Sequence, residues 1–262
     1  EISLGLVGSE MCIRDSPQAL EKLNGWVKAR DASRQPAAMY AMGSLLLEKD
    51  DLSGAVKMAE EGLSKYPQSL PVQILSLNTI TVLLDKNRLQ DAERLISKYP
   101  GSSPDLVFQQ GALAFLKKDY SLAQKLFREA ARRASETTAE NALFNENLAA
   151  LNANDASGAA ALIKEASGSS RLRESILFEQ AHYAAKRMAP QAAELLANFI
   201  TLAETPALKT QARLDQVEVA LNLNPPDLET VQAILPLLEK EQLSPEQTMQ
   251  LARLNILEAE SR

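Results

Sequence analysis

The chain of 262 residues has little of what catalytic and cross-linked sites usually need. It contains one cysteine, Cys12, and one histidine, His182. A single cysteine excludes an intrachain disulfide, and one histidine without thiol partners cannot supply an ordinary zinc site. No HExxH, CxxC or glycine-rich phosphate loop occurs. We therefore expect no catalytic residue, no metal and no cofactor, with His182 in a packing or surface role and the dispersed carboxylates in solvent.

Aromatic residues and long apolar runs are also scarce. Aromatic side chains make up 5% of the chain, and no apolar stretch approaches the roughly 20 residues that span a bilayer. The formal net charge of -6 argues against general nucleic-acid binding, which needs a basic surface, although a local basic patch stays open. Hydrophobic residues at 45% and charged residues at 24% indicate a folded protein.

Residues 1–16, EISLGLVGSEMCIRDS, differ in character from the rest of the chain. The segment lacks a basic amino-terminal region, and its apolar part spans only Ile2 to Val7, so it makes a poor signal peptide. It resembles the translated sequencing-adapter leader found at the ends of unrelated environmental sequences. We exclude it from the fold prediction and begin the folded region at Pro17.

A small or apolar residue recurs along the chain at the spacing of helical hairpins. The intervals between these anchor residues are 36, 37, 31, 36, 33 and 39, a period typical of stacked helical hairpins. A small residue lets two helices approach closely, and side chains four and seven positions later continue the same face. On this pattern Ile163 and Trp26 should be buried. The anchors are Ala19, Ala55, Ala92, Ala123, Ala159, Ala192 and Val231.

Two stretches resemble the tetratricopeptide repeat, a family of helix-turn-helix units. One stretch contains Gly111, Ala123, Phe127 and Ala130, and the other contains Gly43, Ala55, Gly62 and Pro67. The remaining units are degenerate, because Asn147, Gln180 and Val219 replace the expected small residue. The resemblance implies an all-α fold, an α-solenoid of helical hairpins that form a right-handed superhelix.

Start and stop signals predict thirteen or fourteen helices. Helix 17–32 looks like a second helix without its first, and helix 245–260, which begins with a capping box at Ser244, looks like a first helix without its second. We therefore expect the array, residues 17–262, to be incomplete at both ends and to belong to a longer protein. Predicted first helices are 36–49, 70–86, 104–118, 137–152, 171–185 and 206–222, and their partners are 52–65, 89–98, 120–134, 155–167, 189–203 and 227–241.

The resemblance also implies where a partner would bind, since the first helices of such arrays line a concave groove. Tyr40, Phe108 and Phe144 lie fifteen residues before their anchors and would form an aromatic ladder suited to a peptide. Packing between helices is the alternative for each of them. The predicted groove residues are Tyr40, Ser44, Leu77, Thr81, Phe108, Ala112, Phe144, Leu148, Leu177 and Ala181.

These features favour a non-catalytic scaffold that binds a peptide or partner protein in its groove. The alternative is a helper or assembly region of a larger envelope or secretion machine, or of a multidomain enzyme whose catalytic part lies elsewhere. The YP-x-S turns at 66–69 and 99–102 are similar to those of bacterial envelope proteins of this family. They favour a periplasmic or outer-membrane-associated location over a cytoplasmic one. Partner identity and oligomeric state stay open.

Overall fold

The computed structural model describes residues 17–28 and 33–261, apart from the side chains of residues 17–20 and 136. Within them it has fourteen α-helices and no strand, which confirms the all-α prediction. The expectations for residues 1–16 and for the Ala19 side chain lie outside the described residues. The helices are α1 Pro17–Lys28, α2 Gln35–Glu48, α3 Leu52–Lys65, α4 Leu70–Asp85, α5 Leu89–Lys98, α6 Pro104–Leu116, α7 Tyr120–Arg133, α8 Glu136–Asn152, α9 Ala156–Glu165, α10 Ser170–Lys186, α11 Ala192–Leu202, α12 Pro206–Leu221, α13 Leu228–Leu238 and α14 Pro245–Ser261.

These helices fall into two compact units that divide between Ala139 and Glu140. Helices α1–α7 belong to the first unit and α9–α14 to the second. Within each unit a first helix contacts its own partner and also the next first helix, as α2 contacts α4 and α10 contacts α12. Hydrogen bonds between hairpins repeat the sequence period, because Arg94 reaches Glu60, 34 residues away, and Gln180 reaches Asn147, 33 residues away. Each unit is therefore made of hairpins that lie against their neighbours.

Five hairpins in the described chain close with the same turn. The first helix is followed by a residue with positive φ, and the next backbone amide donates to a carbonyl five residues earlier, as Asp119 does to Ala114. This is the Schellman ending, which satisfies the last carbonyls of a helix. In three of these turns an aspartate then caps the second helix through its side chain. The positive-φ residues are Asp50, Asn87, Lys118, Asn154 and Met188.

The anchor residues are buried, as the spacing predicts. The described anchors after Ala19 are at most 3% exposed, and Ala123 is 0% exposed. Close approach explains the small residues of the first helices too. A Cβ added at Gly111 would lie 2.9 Å from the Phe127 ring, and one at Gly43 would lie 2.4 Å from a Leu75 methyl carbon. The two hairpins with the strongest family resemblance therefore use these glycines for close contact between helices.

Two expectations about the buried face are wrong. Trp26 is 47% exposed, and among the described helices α1 packs mainly against α2. In α9, Leu162 is fully buried while Ile163 is only half-buried, so Leu162 takes the middle position of a buried face that still contains Ala159 and Ala166. No helix of the described ranges is both long and apolar enough to cross a membrane.

Candidate partner-binding site

The predicted groove residues of the first unit are mostly tied to the core. Phe108 packs edge-on against Phe127, with ring centroids 5.3 Å apart, and Leu77 and Ala112 pack against the main hydrophobic cluster. Tyr40 is 37% exposed, and Ser44 is half-buried. Thr81 is exposed and accepts a hydrogen bond of 2.9 Å from Gln109. Phe108 therefore has a packing role whatever else it does.

The predicted groove residues of the second unit show the same tendency. Phe144 packs against a cluster that contains Leu162 and Ile176. Leu177 and Leu148 are half-buried, and Ala181 is 1% exposed. A shared surface for Tyr40, Phe108 and Phe144 stays a prediction, whereas the packing alternative has direct contacts in its favour for Phe108 and Phe144.

The second unit contains a cleft that the sequence did not indicate. Its volume is about 490 Å³. It is lined by α10, α12 and α14, with one further residue directly before α14. All three are first helices in the hairpin pattern, so we call this feature the first-helix cleft. Its lining residues are Phe178, Glu179, His182, Gln211, Ser244, Glu246, Gln247 and Gln250.

Helical periodicity and a cap bring these side chains together. Residues three or four apart share one face of a helix, which places Phe178 beside His182 and Gln247 beside Gln250. The predicted capping box is present: the Ser244 amide donates to the Gln247 side chain at 3.1 Å, and the Gln247 amide donates to the Ser244 hydroxyl at 3.2 Å. The box fixes the first turn of α14 at the edge of the cleft.

A hydrogen-bonded pair, the partly exposed His182 and the buried Asp215, lies at one side of the cleft. Nδ1 of His182 is 2.5 Å from Oδ2 of Asp215, whose side chain is 0% exposed. The other Asp215 oxygen accepts from Gln211 at 3.2 Å and lies 3.8 Å from Nζ of Lys186. The hydrogen bond that His182 donates to the Asp215 carboxylate raises the pKa of His182 above its ordinary value, against the opposing effect of burial.

The expectation that the carboxylates are solvated is thus wrong for Asp215. Its burial is tolerated because donors from two helices, His182 and Gln211, reach its oxygens. The pair is 33 residues apart, so only the stacking of hairpins brings it together.

Side-chain amides join α12 to α14 within the cleft. Gln211 donates to Gln250 at 3.1 Å, and Gln247 donates to Gln211 at 3.3 Å. Gln250 in turn donates to Glu218 at 3.3 Å. These bonds hold three amides, each with a donor and an acceptor group, in fixed positions along the lining.

Glu179 differs from the other polar residues of the cleft. Its half-buried carboxylate makes no hydrogen bond or ion pair within the part of the chain that the structure describes. Burial raises the pKa of this carboxyl, the charge of His182 lowers it and that of Asp215 raises it again. The cleft therefore holds a carboxylate that lacks a partner.

A second cavity of about 430 Å³ lies beside the turns of the hairpins α8–α9 and α10–α11. Arg187 donates to Asn154 at 2.7 Å, and its guanidinium group lies 4.5 Å from the centre of the Tyr183 ring. Arg187 is thus engaged with its neighbours, whereas the buried Tyr183 hydroxyl, also in the lining, has no hydrogen-bond partner among the described residues. Across residues 17–28 and 33–261, no three His, Cys, Asp or Glu side chains are grouped as metal ligands.

Comparisons with protein-family models, with curated proteins and with solved structures found no match.

Proposed function

We propose that this chain is a non-catalytic interaction scaffold of tetratricopeptide-like hairpins that binds an extended segment of a partner protein in the first-helix cleft. One observation carries the proposal: the cleft is lined by three successive first helices, α10, α12 and α14. A surface shared by repeated helices can follow a partner along several hairpins, which is how repeat proteins commonly bind.

The chemistry of the cleft suits a peptide backbone. Each peptide unit carries one donor and one acceptor. Both N–H groups of Gln211 are already used, but Gln247 and Gln250 each keep one N–H group and one carbonyl lone pair beyond the bonds described above. The bonds among these amides hold them in place before a partner arrives, which reduces the entropy lost on binding. The volume of about 490 Å³ lies within the range of ordinary ligand sites.

The second candidate is a helper or assembly region of a larger envelope or secretion machine, or of a multidomain enzyme. In that case the first-helix cleft would hold a segment of the same assembly. The YP-x-S turns favour this candidate, yet they also serve the fold: Tyr99 is 8% exposed, and the Tyr66 hydroxyl donates to Gln35. The envelope location is a proposal that fractionation of source cells with an antibody to this chain would test.

Photo-crosslinking tests the site directly. A photoreactive residue at Gln250 should form adducts with a partner from an extract of the source organism, and mass spectrometry should find the adducts on one partner segment. The matched control is the same residue at Glu194, which is exposed on the second helix α11. Equal adducts at both positions, or none at Gln250, would overturn the proposed site.

A further inference from the structure

We propose that the first-helix cleft selects a segment that carries a lysine or arginine side chain, whose cationic group pairs with Glu179. This inference rests on the proposed function and names the chemistry of the bound segment.

The unpaired carboxylate of Glu179 is the starting point. A half-buried carboxylate without a hydrogen bond or ion pair has lost part of its hydration, and no protein donor replaces the lost hydrogen bonds to water. Within the described residues Glu179 has no hydrogen bond or ion pair, and the one opposite charge that acts on it, that of His182, is opposed by the charge of Asp215. A cation brought in by a partner would restore the missing interaction, as in a charge-assisted hydrogen bond.

The charges of the lining favour a cation over an anion. Two carboxylates, Glu179 and Glu246, line the cleft, and the one basic group in its described lining is His182. His182 is already bonded to the buried Asp215. The Asp215 carboxylate therefore balances the charge of His182, and the carboxylates of Glu179 and Glu246 leave the cleft with an excess of negative charge.

Neighbouring basic groups are engaged as well. Lys186 lies 3.4 Å from Glu218, and Arg253 lies 3.8 Å from the other oxygen of Glu218. The amino-terminal end of α14, which carries the partial positive charge of the helix dipole, also lies at the cleft. The capping box satisfies backbone amides there, and Glu246 in the first turn offsets the positive charge. Neither feature provides a free site for an anion.

A basic side chain suits the cleft better than a small cation does. A lysine or arginine has a long methylene stem that can lie along apolar surface while its charged end reaches a polar group. The rings of Phe178 and His182 stack with centroids 5.4 Å apart and supply such surface beside Glu179. A bare metal ion would need several ligands, whereas a basic side chain needs one carboxylate.

The pairing should depend on pH. Glu179 must be ionised to attract a cation, and burial raises its pKa. Protonated His182 would repel the cation, and the bond to Asp215 raises the pKa of His182. The other charged groups near these two residues are Lys186 on α10, Asp215 and Glu218 on α12, and Glu246 and Arg253 on α14. Because both deprotonations favour binding, affinity should rise with pH across their titration range.

The test uses the full isotope-labelled chain and short blocked glycine–serine peptides with one central lysine, norleucine or glutamate. We expect the lysine peptide to shift the signals of Glu179, Gln211 and Gln250 and to bind about tenfold more tightly than the norleucine peptide. Glu179→Gln should abolish this preference while the norleucine peptide binds as before, which also shows that the variant is folded. Glu194→Gln is the matched control and should keep the preference.

The outcomes separate the two proposals. Equal binding of the lysine and norleucine peptides in the cleft, a preference for glutamate, or a lysine preference that survives Glu179→Gln would overturn the inference and leave the binding cleft standing. If none of the peptides moves any signal from the cleft, the proposed function and this inference both fall.

Discussion

At the scale of single residues, tight contacts explain why certain positions are small. Ala123 is 0% exposed, and Gly111 on the adjacent helix α6 has a Phe127 ring carbon 2.9 Å from where a Cβ would lie. Packing this dense leaves no room for a larger side chain without movement of the backbone. The energetic cost of enlarging such a residue is therefore a direct measure of the hairpin contact.

We predict that Ala123→Leu lowers the free energy of unfolding by about 1–3 kcal/mol, because the added methyl groups overpack the contact between α6 and α7. Lys125→Leu is the control, since Lys125 is exposed on the same helix and should change stability by less than about 0.5 kcal/mol. Urea denaturation measures both variants. Equal stability of Ala123→Leu and the parent chain would contradict the assignment of the anchor.

Phe108 separates a packing role from a binding role. Phe108 is half-buried and contacts Phe127, so Phe108→Ala should cost about 1–3 kcal/mol of stability, less than the truncation of a fully buried phenylalanine. Tyr40→Ala should cost clearly less, because the Tyr40 side chain is 37% exposed. If chemical denaturation shows no loss for Phe108→Ala while partner binding weakens, the aromatic ladder is a binding surface after all.

The pair of His182 and Asp215 should make stability depend on pH. Since the folded pKa of His182 is raised above its unfolded value near 6.5, its contribution is fully present below about pH 6.5 and is lost as pH rises through the folded pKa. We expect His182→Asn to cost about 1–3 kcal/mol at acidic pH and less at alkaline pH. Denaturation of both proteins over a pH series tests this, and a difference that grows with pH would refute it.

At the scale of helices, one first helix fixes the start of the next. The Glu174 side chain of α10 accepts hydrogen bonds from the backbone amides of Glu204 and Thr205 at 2.8 and 2.7 Å and from the Thr205 hydroxyl at 2.7 Å. These groups directly precede α12. These hydrogen bonds to Glu174 thus take the place of a local cap at the start of α12, and they join two neighbouring hairpins.

We predict that Glu174→Ala destabilises the chain by about 1–2 kcal/mol at neutral pH. Burial raises the pKa of the Glu174 carboxyl, but the bonds from Thr205 and Glu204 outweigh it, so the pKa lies below its ordinary value. A lowered pKa gives stability above the unfolded pKa that is lost as pH falls through the folded one. The difference from the parent chain should therefore shrink in acid. Glu194→Ala, an exposed change on α11, should have little effect at any pH.

Local signals account for most of the helix pattern. The observed bounds of α3 and α5 coincide with the predicted ones, and α14 begins at the capping box of Ser244 as expected. Two helices are shorter than predicted. Helix α11 begins at Ala192 rather than at residue 189, because residues 189–191 belong to the turn before it. Helix α13 ends at Leu238 rather than at residue 241. Periodicity and caps act over a few residues, so the sequence reports them directly.

At the scale of the whole molecule, the candidate site could not be predicted, because its contacts join residues about one repeat apart. His182 and Asp215 are separated by 33 residues, and Gln211 and Gln250 by 39. In the sequence each looks like an ordinary polar residue of a helix. Only the register between neighbouring first helices decides which of them meet. The predicted groove residues were chosen by offset from the anchors, and Phe108 and Phe144 among them have packing contacts.

The central claim is that the first helices of the second unit form the surface that binds a partner. Hydrogen–deuterium exchange on the intact chain, with and without a partner isolated by affinity to that chain, tests it most directly. We predict slower exchange on binding in segments 178–183, 211–215 and 246–250, with no change in α11 or α13. Protection confined to α11 and α13, or absent from all three segments while the partner is bound, would contradict the claim.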